Sequence, residues 1–387
     1  MRVDLTSLKV AIVHYWFIEL RRGGEKVIDS LCKLFPQADI FTHALDEKVF
    51  PDLAANHRVR TSFIQRLPYA RKEKITAYYL PLMPLALEQF DLSNYDLVIS
   101  SESGPAKGVI VSEDCVHICY CHSPMRYIWN KYAEQIRWSP ALLSWPMRLS
   151  AHYLRLVDYA SAARVDQFVA NSTAVARRIE KYYRRSCRVI FPPVDVSDFA
   201  LAEAEDYYLY CGQLTPYKRP DLAVDCFNNL GLPLRVIGDG EMLAALKRRA
   251  KTNIQFLGRV TDDQLRYHLA RCRALVFPGE EDFGIVPVEA MASGRPVIAY
   301  RRGGVLDAVV DGVTGVFFLE PTVDALAGAV QRYQTMMDDF DPQLITRHAS
   351  AFDTCHFMEQ MTEVVQRALA AQSRARRACP AGHCDGC

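Results

Sequence analysis

The amino-acid sequence predicts an α/β protein built from two doubly wound parallel sheets, one in each of two domains. Short β-rich apolar runs alternate with amphipathic stretches along the chain, which is typical of parallel sheets covered by helices. The series of strands begins again after Pro192-Pro193. A chain of 387 residues is also longer than a single hydrophobic core usually supports. Two domains of similar size follow from these observations.

The first half of the chain opens with a clear strand-loop-helix unit. Residues 9–14 have the pattern of a buried strand, Gly23-Gly24 that of a tight loop, and residues 25–35 that of a helix with one aliphatic face. Asn171-Ser172 is expected to cap a helix that runs to Tyr183. Further strands are predicted at residues 39–42, 96–100, 116–121, 167–170 and 188–191.

A second series of strands defines the C-terminal half. The two successive prolines fix an extended path and remove backbone donors, so the boundary is placed between domains 1–195 and 196–345. A helix at residues 346–372 is expected to pack back toward the N-terminal domain. Strands of the second domain are predicted at residues 207–211, 234–238, 254–257, 274–277, 296–299 and 315–318.

The last residues, 373–387, are predicted to form a disordered tail on composition. Cys379, His383, Cys384 and Cys387 could supply four soft metal ligands, but their spacing is not that of a common zinc module. Most of the twelve cysteines of the chain lie inside apolar strand or helix patterns. They are therefore expected to be thiols that pack as small core residues.

Composition excludes several classes of protein. Half of the residues are hydrophobic and the net charge is only +1, which does not fit a disordered or nucleic-acid-coating chain. Arg2, Asp4 and Lys9 argue against a signal peptide. The longest apolar run, residues 79–87, is too short to span a membrane and contains two prolines. We therefore expect a cytoplasmic protein.

The most informative segment is residues 277–294. A strand ends at Pro278, and Pro287 occupies a position where a first-turn proline is tolerated, so a helix is predicted to begin near Val286. Free amides at a helix start bind anions, and Gly284 would let a diphosphate approach the backbone closely. This part of the sequence therefore predicts an anion pocket.

Two carboxylates, Glu281 and Glu289, flank the predicted pocket. A phosphate would repel them, so their expected role is to accept hydrogen bonds from hydroxyl groups. A nucleotide sugar has hydroxyls on both sides of a diphosphate and fits this arrangement. A solvated acidic loop followed by an ordinary glutamate at a helix start is the structural alternative.

A basic loop follows the first strand of the second domain. Residues 211–220 place Lys218 and Arg219 at the carboxyl ends of the strands, where doubly wound sheets bind ligands. Lys218 could neutralise a departing diphosphate. Ordinary surface charge is the alternative, but the position beside the anion pocket favours a functional role.

Together, the acidic pair Glu281-x7-Glu289, the loop 212–218, and the turns Gly23-Gly24 and Gly303-Gly304 resemble retaining glycosyltransferases of the GT-B fold, family 4 (group 1). That resemblance implies two Rossmann-like doubly wound domains facing across a cleft, with the acceptor in the N-terminal domain and the nucleotide-sugar donor in the C-terminal one. More narrowly, four segments are similar to bacterial mannosyltransferases that assemble lipid-linked O-antigen or exopolysaccharide units from GDP-mannose: 14–17, 22–26, 100–107 and 120–127.

The resemblance also implies roles for single residues. Glu289 would hold the nucleotide ribose, Glu281 the hydroxyls of the transferred sugar, and Lys218 the leaving charge. The backbone amides of Phe283, Gly284 and Ile285 would hold the diphosphate and the sugar. The remaining donor contacts are assigned to Gly23, Gly24, Gln213, Arg219 and Val260, the last in the loop that would contact the base.

His122 occupies the acceptor-side histidine position of the family, although a buried core histidine would give the same pattern. Two departures from the family pattern concern charge. Gln213 stands beside the glycine where the family often has arginine, and Asp307 stands where a helix-start glutamate is usual. Lys218 and Arg219 would therefore carry more of the phosphate charge.

Retention of configuration usually indicates a carboxylate nucleophile, but no such residue can be identified. The resemblance implies front-face attack instead, in which the departing phosphate oxygen helps to remove the acceptor proton. The enzyme would then contribute positioning and electrostatic stabilisation. This scheme requires no metal and no cofactor.

Local basic runs at residues 58–74 and 177–188 are interleaved with tyrosines. Such runs could rest on anionic headgroups so that an acceptor linked to polyprenyl diphosphate can enter. A peripheral position on the cytoplasmic face of the inner membrane is expected on this basis. Solvated helix faces are the alternative.

Three other functions were weighed. A nicotinamide dehydrogenase is disfavoured because Gly238-Asp-Gly240 has Leu243 where the third glycine of the dinucleotide fingerprint belongs. A nucleotide-sugar 2-epimerase would share the two-domain layout and the diphosphate pocket. A non-catalytic nucleotide-sugar binding protein would hold the donor without turning it over.

Overall fold

A computed structural model describes residues 4–18, 23–72, 77–137 and 141–378. The chain divides into two compact units. The first unit comprises Met1–Ile190 and Phe357–Cys387, and the second comprises Phe191–His356. The break thus precedes the two prolines that suggested a boundary at residue 195. Val194 belongs to the second unit because its amide donates to the carbonyl of Phe352 at 3.1 Å.

The sheet of the first unit is entirely parallel, and among the described residues it has seven strands in the order β3-β2-β1-β4-β5-β6-β7. Its middle strands are fully buried, as the continuous apolar runs predict. The strands are β1 (Val10–His14), β2 (Asp39–Thr42), β3 (Val59–Thr61), β4 (Leu97–Glu102), β5 (Val116–Cys121), β6 (Gln167–Ala170) and β7 (Cys187–Val189).

Helices cover both faces of this sheet, as the separate apolar clusters packed against its strands indicate. The predicted cap at Ser172 is confirmed, because its hydroxyl accepts from the amide of Val175 at 3.1 Å. The α-helices that precede residue 190 are α1 (Gly23–Leu34), α2 (Pro51–Asn56), α3 (Met83–Glu88), α4 (Tyr132–Arg137), α5 (Ala141–Ala162) and α6 (Thr173–Tyr183).

The second unit contains a parallel sheet of six strands within the described residues, in the order β10-β9-β8-β11-β12-β13. Counted along this unit the order is 3-2-1-4-5-6, which is the Rossmann order. The predicted doubly wound fold is confirmed. The strands are β8 (Tyr208–Cys211), β9 (Leu234–Ile237), β10 (Ile254–Gly258), β11 (Leu275–Phe277), β12 (Val297–Tyr300) and β13 (Gly315–Phe318).

The helices of the second unit pack on one large apolar cluster that includes all six strands. They are α7 (Pro220–Leu230), α8 (Leu243–Arg249), α9 (Asp262–Arg271), α10 (Ile285–Ala292), α11 (Val305–Ala308), α12 (Val323–Thr335) and α13 (Pro342–Ala349).

The chain ends in a long helix, α14 (Thr354–Ala378), that belongs to the first unit from Phe357 onward. Phe357, Met361 and Val365 are buried in the same cluster as β1. The sequence predicts one helix at 346–372, whereas the structure has α13, a short 3₁₀ turn and then α14. The helix also runs past residue 373, into the segment predicted as a tail, and the cysteine-rich residues 379–387 lie outside the described residues.

Two further sequence expectations concern cysteines and membranes. All nine cysteines in the described ranges are free thiols. Within the part of the chain that the structure describes, none of the helices combines the length and the apolar character that crossing a bilayer requires.

Candidate functional site

The site in the second unit is centred on the start of α10. Gly284 precedes this helix with φ +90°, a conformation that favours glycine. A Cβ at this position would lie 2.9 Å from Cζ of Phe277, so a larger residue would displace the end of β11. Because glycine brings no side chain, the first amides of α10 are not capped by the residue before them.

Phe283 anchors the loop that leads to α10. Its side chain is only 3% exposed, and its ring lies 5.5 Å from that of Phe191 and 5.8 Å from that of Phe352. This aromatic cluster therefore anchors the loop to the core of the second unit. Of Phe283, only the backbone can serve a ligand, as the resemblance implied.

Lys218 and Glu281 form an ion pair, with Nζ and Oε1 at 2.8 Å. Burial is the largest single influence on the pKa of Lys218 and would lower it. The charge and hydrogen bond of Glu281, together with Tyr217 and Cys211, more than offset burial, so the pKa lies above its ordinary value. Lys218 is therefore a cation throughout the physiological range. It can supply positive charge and hydrogen bonds, and it cannot act as a base at neutral pH.

Glu289 lies in α10 and is buried, with 3% of its surface exposed. The charges of Glu289 and Glu281 both act on the thiol of Cys211, the last residue of β8. Burial, followed by the charge of Glu289, raises the pKa of the Cys211 thiol to about 12, and Lys218 opposes this rise. The structure thus brings together Lys218, Glu281 and Glu289, three of the four charged residues that the sequence singled out.

Glycines let the loops at the carboxyl edge of this sheet lie backbone against backbone. A Cβ at Gly279 would lie 2.8 Å from Cα of Lys218. A Cβ at Gly304 would collide with the carbonyl of Asp282 and with Cα of Phe283. The Gly303-Gly304 turn is also held to this loop because the Gly304 amide donates to the Glu281 carbonyl at 3.0 Å. These contacts hold the ion pair beside the start of α10.

The Gly238-Asp-Gly240 segment, which fails as a dinucleotide fingerprint, has a packing role here. A Cβ at Gly240 would lie 2.6 Å from the carbonyl of Leu214, and a Cβ at Gly238 would collide with the carbonyl of Gly212. The two glycines therefore let the loop after β9 close on the loop after β8.

Arg219 has partners of its own. Its guanidinium contacts both carboxylate oxygens of Asp221 at 3.1 Å and the carbonyl of Pro321 at 3.4 Å. It adopts φ +53° at the residue before α7. These contacts favour a structural role at the helix start over the predicted phosphate contact.

Gln213 and Val260 lie on loops of the same sheet edge. Gln213 is exposed, and its carbonyl accepts from the hydroxyl of Tyr210 at 3.4 Å. Val260 is half-buried, packs against the core and follows the end of β10. Both positions are compatible with the donor-side roles that the resemblance implied.

The first unit carries a second cluster at its own carboxyl edge, around the start of α1. A Cβ at Gly24 would lie 3.7 Å from Cε1 of His14 and 3.8 Å from Nε2 of His122. Nε2 of His122 lies 2.8 Å from the hydroxyl of Ser101. The structure thus brings together the predicted residues Gly23, Gly24 and His122. Two residues whose roles the sequence did not predict, His14 and Ser101, lie beside them.

His122 is neutral at physiological pH. Burial, and secondarily the neighbouring His14, lower its pKa to about 3, although Glu25 opposes the shift. An imidazole with so low a pKa is a poor proton acceptor. His122 is therefore suited to orienting a hydroxyl through a hydrogen bond rather than to removing its proton.

His14 is the functional candidate that sequence reasoning missed. It ends β1, is 2% exposed, and within the described residues its Nε2 has no hydrogen-bond partner. The Oε1 atom of Glu25 lies 3.9 Å away. A histidine at the end of a buried first strand, just before a glycine turn, was the available signal.

No group of three or more histidine, cysteine, aspartate or glutamate side chains within the described ranges is arranged to hold a metal ion. The chain contains the sequence Asp339-Phe-Asp341, a spacing that can bind a metal. Asp341 instead caps α13 by accepting from the amide of Gln343 at 2.8 Å.

The second unit thus belongs to the class of Rossmann domains that bind ligands at the carboxyl ends of their strands. Two family models identify the family. The model for Glycosyltransferase Family 4 matches residues 21–198, and the model for Glycosyl transferases group 1 matches residues 195–338. The chain belongs to the GT-B glycosyltransferases of group 1, family 4.

The names of the curated relatives refer to the transfer of different sugars. The alpha-1,3/1,6-mannosyltransferase alg2 of Schizosaccharomyces pombe is 23% identical over 396 residues, which cover 87% of this chain and 75% of the relative. A lipopolysaccharide 1,2-N-acetylglucosaminetransferase of Salmonella typhimurium is 32% identical over 152 residues, which cover 34% of this chain and 40% of the relative. The chain spans less than half the length of each of the first four curated relatives that it matches, between 23% and 44%.

Among solved structures, Anabaena Alr3699/HepE in complex with UDP and glucose aligns with a TM-score of 0.68 at 16% identity. The alignment covers 93% of this chain and 100% of HepE. At this identity the likeness establishes a shared fold.

Proposed function

We propose that this protein is a retaining glycosyltransferase that moves a hexose from a nucleotide sugar to a lipid-linked oligosaccharide. The proposed donor is GDP-mannose, and the proposed pathway is the assembly of O-antigen or exopolysaccharide. The observation that carries the proposal is the Lys218–Glu281 ion pair, at 2.8 Å, held beside the start of α10.

The donor diphosphate would lie against the amides of Phe283, Gly284 and Ile285, where the helix dipole favours negative charge. The Lys218 ammonium has three N–H donors. One is directed at Glu281, so others remain for a phosphate oxygen. The second oxygen of Glu281 would accept from the sugar hydroxyls, and Glu289 from the ribose.

Transfer would proceed on one face of the sugar. As the bond between the anomeric carbon and the phosphate oxygen breaks, the acceptor hydroxyl attacks from the same side, and the leaving phosphate takes its proton. Lys218 and the helix amides would stabilise the charge that develops on the diphosphate. The scheme needs no metal and no cofactor, since these groups meet that charge.

We assign the acceptor to the first unit, where His122 and Ser101 could orient its hydroxyl. The neutral state of His122 supports positioning, and the phosphate is left as the proton acceptor. Because the acceptor is proposed to be linked to polyprenyl diphosphate, we place the enzyme peripherally on the cytoplasmic face of the inner membrane.

The choice of donor rests on similarity. Mannosyltransferase relatives such as S. pombe alg2 support mannose. The HepE complex contains UDP and glucose, so a UDP-sugar is the natural competitor. A thermal-shift panel of GDP-, UDP- and ADP-sugars would rank them, since a ligand that binds the native state raises the unfolding midpoint.

Product analysis tests the proposal. The purified protein is incubated with GDP-mannose and a short lipid-linked acceptor, and the products are separated by mass. A new α-glycoside together with GDP is the expected result. Free GDP with a free sugar epimerised at C2 would identify a 2-epimerase, and binding without turnover would identify a binding protein. Either result would reject the proposed transfer.

A further inference from the structure

Helix α5 of the first unit presents a large apolar stripe to solvent. Its members each expose between 42% and 73% of their surface. Their spacing of three and four residues places them on one face of the helix, over about 21 Å. The stripe consists of Trp145, Leu149, Tyr153, Leu156 and Tyr159.

The opposite face of α5 is firmly packed. Leu154 is 3% exposed and lies in an apolar cluster with Met125 and Ile128. Asp158 is 1% exposed and accepts from Nε1 of Trp129 at 2.7 Å. It also pairs with the buried Lys107. The orientation of the helix is therefore fixed, and the outward stripe cannot turn inward.

A helix that is apolar on both faces is expected to be covered on both. An exposed apolar patch of this size on a soluble domain marks an interaction surface. The neighbouring 3₁₀ helix Ala77–Leu82 packs beside α5 through Leu80 and adds the exposed Tyr78. Tryptophan and tyrosine are the residues enriched where a protein meets the membrane–water interface.

Within α5 itself the exposed charge is basic. Asp158 is the single acidic residue between positions 141 and 162, and it is buried. Arg148 lies beside the stripe and is exposed. Elsewhere in the first unit, residues 58–72 contain five basic and no acidic side chains. An anionic surface would complement this region, whereas a second copy of the same face would bring like charges together.

The other basic run, residues 177–188, is a weaker candidate because several of its members have internal partners. Arg185 donates to the carbonyl of Ala162 at 2.9 Å, and Arg188 pairs with Glu363 at 2.9 Å. Tyr183 is buried, and Tyr182 stacks on Trp129 at 4.8 Å. Part of this run is therefore engaged within the fold.

We propose that the outward face of α5 docks on an anionic lipid bilayer, with the helix parallel to the surface and its apolar stripe among the headgroups. Interfacial helices bind in this way, through buried apolar area and attraction to anionic lipids. The inference rests on the proposed function in one respect, since a lipid-linked acceptor is what makes a bilayer the relevant partner.

Vesicle sedimentation tests this surface directly. The full chain is mixed with anionic vesicles of phosphatidylcholine containing about 30% phosphatidylglycerol. Vesicles of phosphatidylcholine alone provide the uncharged comparison. The wild type should bind the anionic vesicles. The double variant Leu149→Ser/Leu156→Ser should bind about tenfold more weakly or worse, because it lacks two apolar side chains that the bilayer would bury. Arg148→Glu should weaken binding mainly at low salt.

The matched control is Leu319→Ser/Leu344→Ser, which removes two exposed leucines from the second unit and should bind as the wild type does. Unchanged binding of the α5 variant, or wild-type protein that stays in the supernatant, would overturn the proposal. So would a wild-type dimer, seen by analytical ultracentrifugation, that the α5 variant converts to a monomer.

Activity separates this inference from the proposed function. With a water-soluble acceptor analogue, the α5 variant should retain wild-type turnover while it loses vesicle binding. If the wild type shows no transfer at all but still binds anionic vesicles through α5, the proposed function fails and the docking surface stands.

Discussion

The two units share a strand order yet build their carboxyl edges differently. In the second unit, Gly279 and Gly304 let loop backbones touch and hold a charged pair, Lys218 and Glu281. In the first unit, His14 ends β1 and His43 and His122 follow β2 and β5. Burial lowers the pKa of His43 and of His122 to about 3.

The two carboxyl edges therefore differ in the charge that they present to a ligand. The second unit offers a permanent cation and helix amides, which suit a diphosphate. The first unit offers the neutral imidazole of His122 and the hydroxyl of Ser101, which suit the hydroxyl groups of a sugar. Experiments that alter the carboxyl edge of each sheet in turn test this comparison.

The largest effect is expected from the ion pair. Lys218→Ala and Glu281→Ala should each fold normally and lose about 100-fold or more in kcat/KM, since each removes an interaction with the reacting groups. Steady-state kinetics with GDP-mannose measures the loss. The control is a second Lys–Glu pair, Lys131 and Glu134, at 2.9 Å on the surface of the first unit.

Lys131→Ala and Glu134→Ala should leave both activity and stability nearly unchanged, because exposed pairs contribute little. Wild-type turnover in Lys218→Ala or Glu281→Ala would contradict the assignment of the charged edge.

The second prediction concerns the neutral edge. The pKa of His43 is about 3 in the folded state and 6.5 ordinarily, so between these values the unfolded state binds more protons. Above pH 6.5 this histidine therefore does not reduce the free energy of unfolding. As the pH falls from 6.5 toward 3, the free energy of unfolding declines. At pH 5 the loss is about 2 kcal/mol for this histidine.

Urea unfolding of the wild type and of His43→Gln at pH 7 and pH 5 measures this difference. The variant should lose less stability between the two pH values than the wild type does. Equal losses would mean that His43 does not titrate as its burial requires.

Much of this arrangement could be predicted from sequence. The alternating pattern located the two sheets, and the helix-start logic located Gly284 and α10 within one residue, because burial and turn chemistry act locally. Strand β3 escaped prediction, since three half-exposed residues at a sheet edge leave little apolar signal.

Contacts between distant residues could not be predicted in this way. Nothing local links Lys218 to Glu281, and their pairing depends on close approach at Gly279. The bond from Arg219 to the carbonyl of Pro321 likewise depends on tertiary packing, and so does the lack of a hydrogen-bond partner for Nε2 of His14 among the described residues. Long-range polar contacts are therefore where structure adds most.

The third prediction tests the glycine contacts. Gly304→Ala should lower kcat/KM about tenfold, because the added Cβ must displace the loop at Asp282 and Phe283. Gly328 lies within α12, and a Cβ there would meet nothing within 4 Å. Gly328→Ala should therefore raise the unfolding midpoint slightly and leave kinetics unchanged. Equal kinetics in both variants would show that the backbone contact is dispensable.

The smallest effect is expected at Arg219. Because its guanidinium is held by Asp221 and its φ is +53°, Arg219→Gly should change the KM for the donor less than about threefold. A tenfold rise in KM, measured under the same conditions, would instead restore the phosphate contact predicted from sequence.

Calorimetric titration with GDP and with GDP-mannose tests the central claim most directly, that Lys218 meets the diphosphate and Glu281 meets the sugar. Lys218→Ala should weaken the binding of both ligands. Glu281→Gln should bind GDP as the wild type does and lose only the additional affinity for GDP-mannose. If the two variants lose affinity for GDP equally, or if neither loses affinity for any ligand, the account of this site is wrong.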